Sequence, residues 1–303
     1  PATSYILENN NGNFSIFDGF VPFSKGMVTD AIWDDFNGDG TKDLILVGEW
    51  MSPRFLQFKN GAFTETNPLD IKGLWQSVVA FDIDGDGDTD YLLGNWGTNS
   101  KFRASEKYPM KLYFNDFDNN GQTETVTALE KDGLYYPLET LDGLTSQLVY
   151  LRKEFTTYKS FAGKTMEELF GKKTLKESTL LEVSTLESGY LKNNDGIFTF
   201  VPFKNELQVS PIMVFLVDDF DADGVQEVLM GGNFFGVKPY HGRLDSFPGA
   251  LLKNENEILL GTGLGLDFTK KSLRHLNTLT LNGKKYVIAI FNNDKAQVYR
   301  INN

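Results

Sequence analysis

The chain has 303 residues and a formal net charge of −12, from 41 Asp and Glu against 29 Lys and Arg. It holds no Cys and two His, His241 and His275, which excludes disulfide frameworks, thiol catalysis and Cys-ligated zinc and leaves little for imidazole chemistry. An acidic chain repels phosphate backbones, so nucleic acid is excluded as a partner class, and no apolar run reaches the ~18 residues of a membrane span, so direct membrane insertion is excluded too.

The chain begins at Pro1 without a Met, which reads as a processed or excised chain, so the lack of a leader says nothing about destination. The first periodic element is a hairpin, Tyr5-Ile6-Leu7 running through an Asn-Gly turn to Gly12-Asn13-Phe14. It recurs as Phe55-Leu56-Gln57-Phe58 to Asn60-Gly61-Ala62-Phe63, and as Tyr190-Leu191 to Asp195-Gly196-Ile197-Phe198. Asn-Gly and Asp-Gly are strong two-residue turn signals, because both central positions of a type I′ turn need positive φ.

Between hairpins lie four acidic stretches of one pattern: Asp35–Asp43, Asp82–Asp90, Asp116–Glu124 and Asp219–Glu227. Positions 1, 3 and 5 are Asp or Asn: Asp35, Asn37 and Asp39; Asp82, Asp84 and Asp86; Asp116, Asp118 and Asn120; Asp219, Asp221 and Asp223. Position 6 is Gly (Gly40, Gly87, Gly121, Gly224) and position 9 is acidic (Asp43, Asp90, Glu124, Glu227). So many carboxylates converging on one curled backbone are unfavourable without a cation, and hard oxygen ligands in this number suit Ca²⁺ better than Mg²⁺. An EF-hand would need a bidentate Glu at position 12, where Leu46, Leu93, Thr127 and Met230 stand instead. The flanking runs, such as Val78-Val79-Ala80-Phe81 and Tyr91-Leu92-Leu93-Gly94, read as short buried strands rather than helices.

The hairpin glycines Gly12, Gly61 and Gly196 precede the next loop by 23, 21 and 23 residues, which makes hairpin plus loop one repeating unit. Units of about 40–50 residues carrying four strands point to an all-β fold, a β-propeller of about five blades with the acidic loops between first and second strands. One interval breaks the rhythm, the 103 residues from Asp116 to Asp219. Within it Leu144, Leu148, Leu151, Phe155 and Tyr158 follow helical spacing, and Thr165 with Glu168 matches a capping box. The expected organisation is a single domain, 1–303, with a small helical insertion at about 138–175 in the third blade. In the last unit Leu276–Leu281, Tyr286–Phe291 and Ala296–Ile301 read as three strands, with Asn282-Gly283 replacing the acidic loop. The segment near Asn13–Phe17 is expected to supply the fourth and close the ring.

The four loops between short strands resemble the FG-GAP/VCBS repeats of integrin alpha-chain-like calcium-binding β-propellers. Arg103–Glu106, Leu112–Asp118 and Gly242–Asp245 further resemble segments of large secreted or surface-anchored bacterial repeat proteins. The resemblance implies ligation by side chains at positions 1, 3, 5 and 9 and by the backbone carbonyl at position 7. Those ligands would be Asp35, Asn37, Asp39 and Asp43 with the carbonyl of Thr41, and Asp82, Asp84, Asp86 and Asp90 with that of Asp88. The third set is Asp116, Asp118, Asn120 and Glu124 with the carbonyl of Gln122, and the fourth is Asp219, Asp221, Asp223 and Glu227 with that of Val225. Up to four Ca²⁺ would move the net charge from −12 to −4. Fewer charged ligands at Asn37 and Asn120 rank the Asp82 and Asp219 loops as the first to fill.

The function expected from these features is a calcium-stabilised binding or scaffold module for protein or glycan, extracellular, periplasmic or on the cell surface. Trp50, Trp75 and Trp96 are candidate exposed contacts, weighed against plain packing between sheets. The alternative is a glycan-cleaving hydrolase or lyase using Tyr240-His241-Gly242-Arg243-Leu244-Asp245, weighed against a loop-fixing Arg243–Asp245 ion pair.

Overall fold

A computed structural model of the chain describes residues 2–21, 26–66 and 69–301; Pro1 lies outside them. By backbone packing the chain divides into two compact units, Pro1–Lys101 with Leu186–Asn303, and Phe102–Thr185. The sequence reading treats 1–303 as one domain. Among the described residues no helix is long and apolar enough to cross a membrane.

The first unit opens with a hairpin of β1 (Leu7–Asn10) and β2 (Asn13–Ile16), turned at Asn11 and Gly12, where φ is 53° and 91°. A first sheet follows, formed by β3 (Met27–Asp34), β4 (Asp43–Met51), β5 (Arg54–Lys59) and β6 (Ala62–Thr66), with β7 (Gly73–Leu74) added to β4. Strands β8 (Ser77–Phe81) and β9 (Asp90–Gly94) begin a second sheet. The second unit is then interpolated. It contains β10 (Met110–Asn115), β11 (Glu124–Lys131), β12 (Leu134–Pro137) and β13 (Thr179–Val183), in the order β12-β11-β10-β13.

Back in the first unit, β14 (Gly189–Asn194) and β15 (Ile197–Pro202) complete the second sheet, with Leu191 of β14 opposite Tyr91 of β9. A third sheet joins β16 (Ile212–Asp218), β17 (Glu227–Gly232), β18 (Ala250–Leu252) and β19 (Ile258–Leu260). The last sheet has three strands, β20 (Leu273–Leu281), β21 (Lys284–Phe291) and β22 (Gln297–Arg300). All these pairings are antiparallel, so the chain is all-β apart from short helices.

Side chains alternate across each strand, so a strand inside a stack of sheets must be apolar on both faces. That explains the unbroken runs at Leu44–Val47, Tyr91–Leu93 and Val228–Met230. Ile45, Val47 and Phe55 of the first sheet pack with Tyr91, Leu93 and Leu191 of the second. Leu92 and Tyr190, on the opposite face of that second sheet, pack with Ile212, Val228 and Met230 of the third. Leu229 and Leu251 then meet Leu273, Leu276, Val287 and Ala289 of the last. The outer face of the first sheet, Leu44, Leu46 and Leu56, is covered by Phe20 with Ile6 and Phe17. Four sheets are thus stacked in succession in this unit.

One expectation is corrected. Residues Asn13–Ile16 form β2 and pair with β1, and among the described residues the last sheet has three strands, so this segment does not supply its fourth. The Asn11-Gly12 turn makes the local hairpin the shorter closure, with less chain entropy to lose. The Asp116 loop joins β10 to β11, the first two strands of the four-stranded sheet of the second unit, and the helices fall between β12 and β13 of that same sheet.

The helices of the second unit are α1 (Leu141–Thr145), α2 (Leu151–Glu154), α3 (Tyr158–Phe161), α4 (Met166–Phe170) and α5 (Lys172–Glu177). Leu144 in α1, Leu148 between α1 and α2, Leu151 in α2 and Phe155 just after it are buried with Phe117 and Val126, and Tyr158, at the start of α3, is exposed. The capping box is formed: Thr165 accepts from the Glu168 amide, Glu168 accepts from the Thr165 amide, and Gly171 ends α4 at φ 77°.

Candidate metal loops

All four acidic stretches are loops joining paired antiparallel strands: β3 to β4, β8 to β9, β10 to β11 and β16 to β17. Their curl is wound by the acidic side chains themselves. The position 1 carboxylate accepts from the position 6 amide in every loop, at 2.7 Å (Asp35–Gly40), 3.1 Å (Asp82–Gly87), 2.8 Å (Asp116–Gly121) and 3.1 Å (Asp219–Gly224). The position 5 oxygen accepts from the position 7 amide, Asp39 from Thr41, Asp86 from Asp88, Asn120 from Gln122 and Asp223 from Val225. These local bonds are the physical reason that Asp and Asn recur at odd positions. Position 6 needs glycine, with φ between 83° and 94° in the four loops.

Position 9 sits at the first residue of the outgoing strand and is buried in each loop: Asp43, Asp90, Glu124 and Glu227. Here the loops part company. Asp90 spends one oxygen on the Ile83 amide at 3.1 Å and the other on the Asn193 amide at 2.7 Å. Asp43 accepts from the Phe58 amide at 2.7 Å and from the Asn37 side-chain amide at 2.7 Å. The longer Glu124 and Glu227 each bond the position 2 amide with one oxygen, Phe117 at 3.0 Å and Phe220 at 2.8 Å, and each belongs to the carboxylate set of its loop. Burial pushes the pKa of Asp43, Asp90 and Glu227 up, since each charge has lost water.

Three sets of carboxylates offer ligand oxygens within 4.8 Å of one another: Asp82, Asp84 and Asp86; Asp116, Asp118 and Glu124; Asp219, Asp221 and Glu227. The first loop does not form such a set among the described residues, and its Asn37 amide already occupies Asp43. Asp118 Oδ1 and Asp219 Oδ1 are buried with no hydrogen-bond partner. A buried carboxylate oxygen without a donor is costly, and a divalent cation at that point would satisfy it. The donor set therefore fits a hard metal ion best at the third and fourth loops. Of the position 7 residues, Thr41, Asp88, Gln122 and Val225 each donate the amide to position 5, and Asp88 also accepts from the Asp195 amide at 3.0 Å.

Three residues that sequence reading passed over stand beside these loops. The register Leu44↔Leu56, Tyr91↔Leu191 and Val228↔Leu252 places Gln57, Lys192 and Lys253 opposite position 9. Gln57 donates to Asp39 at 3.0 Å, Lys192 pairs with Asp84, and Lys253 reaches Asp221 at 2.6 Å and Glu227 at 3.7 Å. The hydrogen bonds to Lys192 and Lys253 hold Asp84 and Asp221 below the usual carboxylate range. The available signal was a polar residue closing an apolar pair in each of three strands or just after it: Phe-Leu-Gln, Tyr-Leu-Lys and Leu-Leu-Lys.

The 240–245 loop has a different character. Arg243 Nε lies 3.4 Å from Asp245 and its guanidinium 4.2 Å from the Phe235 ring, while Phe234 and Leu244 form a backbone bridge. Arg243 is thereby committed to fixing the loop. Of the tryptophans, Trp75 is fully buried against Phe200, and Trp50 and Trp96 are half-buried, the latter beside Phe234. Packing accounts for Trp75.

An FG-GAP-like repeat family model matches residues 35–93, which span the first two loops. No curated protein matches the sequence. Among solved structures, the crystal structure of the V. cholerae biofilm matrix protein Bap1 is similar over 99% of this chain and 68% of that chain, at 12% identity and a TM-score of 0.34.

Proposed function

We propose that the chain is a calcium-stabilised β-propeller repeat module that works outside the cell, in the periplasm or at the cell surface, as a non-catalytic binding or scaffold domain for protein or glycan. The stacked sheets of the first unit are its blades, and the acidic loops are clamps between the first two strands of a blade. The observation that carries the reading is the pair of buried, partnerless oxygens, Asp118 Oδ1 and Asp219 Oδ1, each within an acidic set wound by its own side chains. Ca²⁺ supplies two positive charges and six to eight oxygen contacts. The ligands are the side chains at positions 1, 3, 5 and 9 with the position 7 carbonyl. The chain's own part is to hold those oxygens in place through the position 6 glycine and the position 9 anchor.

Occupied loops stiffen the strand pairs that carry them. Binding to the native state alone adds RT ln(1 + [L]/Kd), about 2.7 kcal/mol at a hundredfold excess over Kd. The match of an FG-GAP-like repeat to residues 35–93 supports the same reading. A screen of glycans and extracellular proteins, run with Ca²⁺ and with chelator, tests it. Binding of a partner that is lost on chelation is expected. Hydrolysis or lyase cleavage of a glycan, abolished in His241→Ala, would overturn it.

A further inference from the structure

The second unit holds a cavity of about 390 Å³ where α4 and α5 meet strands β10, β12 and β13. Residues directly opposite one another in neighbouring strands share a face. The register Tyr113↔Leu180 therefore puts both residues on the cavity side of the sheet, with Lys111 two residues back along β10. From α5 come Lys172, Leu175 and Lys176, three and four residues apart on one side of the helix. Met166 and the Tyr135 ring complete walls that are largely apolar.

Two observations point to an occupant. The first is Tyr113, which lines the cavity at 8% exposure. Its hydroxyl has no hydrogen-bond partner among the described residues. A phenol taken out of water without a partner is costly, and burial pushes its pKa up, so it stays a neutral donor. The second is charge. The chain carries −12, yet the charged residues lining this cavity are Lys111, Lys172 and Lys176 against Glu167 alone. Lys172 lies 3.4 Å from Glu167, and Lys111 lies 3.8 Å from Glu182 and 4.1 Å from the centre of the Tyr135 ring. Lys176 forms no ion pair among the described residues. With Glu182 counted, three ammonium groups face two carboxylates.

A matching ligand brings an anionic group for the lysines, hydroxyls for the Tyr113 donor and the Glu167 acceptor, and an apolar face for the walls. Sites of this size combine apolar walls with a few placed polar groups in this way. A fatty or aromatic carboxylate offers no hydroxyl to Tyr113 or Glu167, and a phosphate ester brings a second negative charge toward Glu167. A uronic-acid ring has one carboxylate, several hydroxyls and a face of C–H groups. We propose, resting on the reading of the chain as a binding module, that this cavity takes a uronic-acid ring of an acidic glycan.

Calorimetric titration of the full chain with trimers of galacturonate, glucuronate and mannuronate, each beside its carboxyl-reduced neutral counterpart, tests this. At least one acidic trimer is expected to bind, and its neutral counterpart at least tenfold more weakly. Lys172→Glu/Lys176→Glu, at two exposed positions, is expected to weaken binding at least tenfold. Tyr113→Phe keeps the ring and breaks no hydrogen bond within the chain, and is expected to weaken binding several-fold. Melting curves matching wild type show that both variants fold. No heat from any acidic trimer at about 1 mM overturns the proposal. So does equal binding of the neutral counterpart, or an affinity unchanged in either variant. Each of these results leaves the binding-module reading to other partners, whereas a trimer recovered shortened by chromatography overturns that reading itself.

Discussion

Lys253 donates from Nζ to Asp221 Oδ2 at 2.6 Å, so an ammonium group borne by the third strand touches the acidic set of the fourth loop. Lys192 does the same to Asp84 in the second. A tethered cation there compensates the carboxylates in the metal-free state and competes with a metal ion for the same oxygens. Lys253→Met is therefore expected to tighten calcium binding at the fourth loop several-fold and to lower the melting temperature of the metal-free protein. Calorimetric titration and a melt in chelator check both halves. Unchanged affinity would show that the ammonium is a bystander.

The geometry also reorders the sites. Charge count alone ranks the Asp82 and Asp219 loops first, but Asp90 spends both its oxygens on backbone amides and stands outside the carboxylate set of its loop, while Glu124 spends one and belongs to its own. The tightest phase is expected from the Asp116 and Asp219 loops. Glu124→Gln should weaken one of those phases by roughly tenfold, equivalent to about 1.4 kcal/mol. Loss of the tightest phase in Asp84→Asn instead would restore the ranking by charge.

Ala222 holds φ at 62°, where the corresponding positions are Gly38 at 70° and Gly85 at 76°. A Cβ in the left-handed region costs roughly 1–2 kcal/mol, partly offset by the greater freedom of glycine when unfolded. Ala222→Gly is expected to stabilise the protein by up to about 1 kcal/mol in urea unfolding. A loss of stability would mean that the Ala222 methyl makes a contact worth more than the strain.

In the second unit the capping box sets a pH dependence. The Thr165 backbone bond, with Lys164 and the Thr165 hydroxyl, lowers the Glu168 pKa to about 2 from an ordinary 4.5. A carboxylate whose folded pKa is depressed stabilises above its unfolded pKa, and the contribution fades as pH falls from 4.5 toward about 2. The protection factors of the amides across Met166–Phe170 should fall over that interval in wild type, and Glu168→Gln should flatten the response. Thr165→Ala should cost about 1 kcal/mol at neutral pH.

What was legible in the sequence was local. The acidic loops, the Asn-Gly and Asp-Gly hairpins, the Thr165–Glu168 cap and the Asn282-Gly283 turn are set by neighbouring residues, and the structure shows each of them. Long-range pairing was not legible. Nothing around Tyr91 signals that its partner is Leu191 rather than a strand nearer in sequence. Lys192 and Lys253 were missed for the same reason, since their positions beside the loops follow from sheet register. The regular leucine spacing from Leu144 to Phe155 signalled helix but not where one short helix ends and the next begins. Burial beneath short helical turns produces the same period.

A thermal melt of the full chain, apo and with calcium restored, bears most directly on the loops as calcium clamps. Chelation is expected to lower the melting temperature, and added Ca²⁺, but not the same concentration of Mg²⁺, should restore it. The Asp118→Asn/Asp219→Asn variant should lose most of that response. A melt that is the same in chelator and in calcium would contradict the clamp and leave the acidic loops as hydrogen-bonded turns.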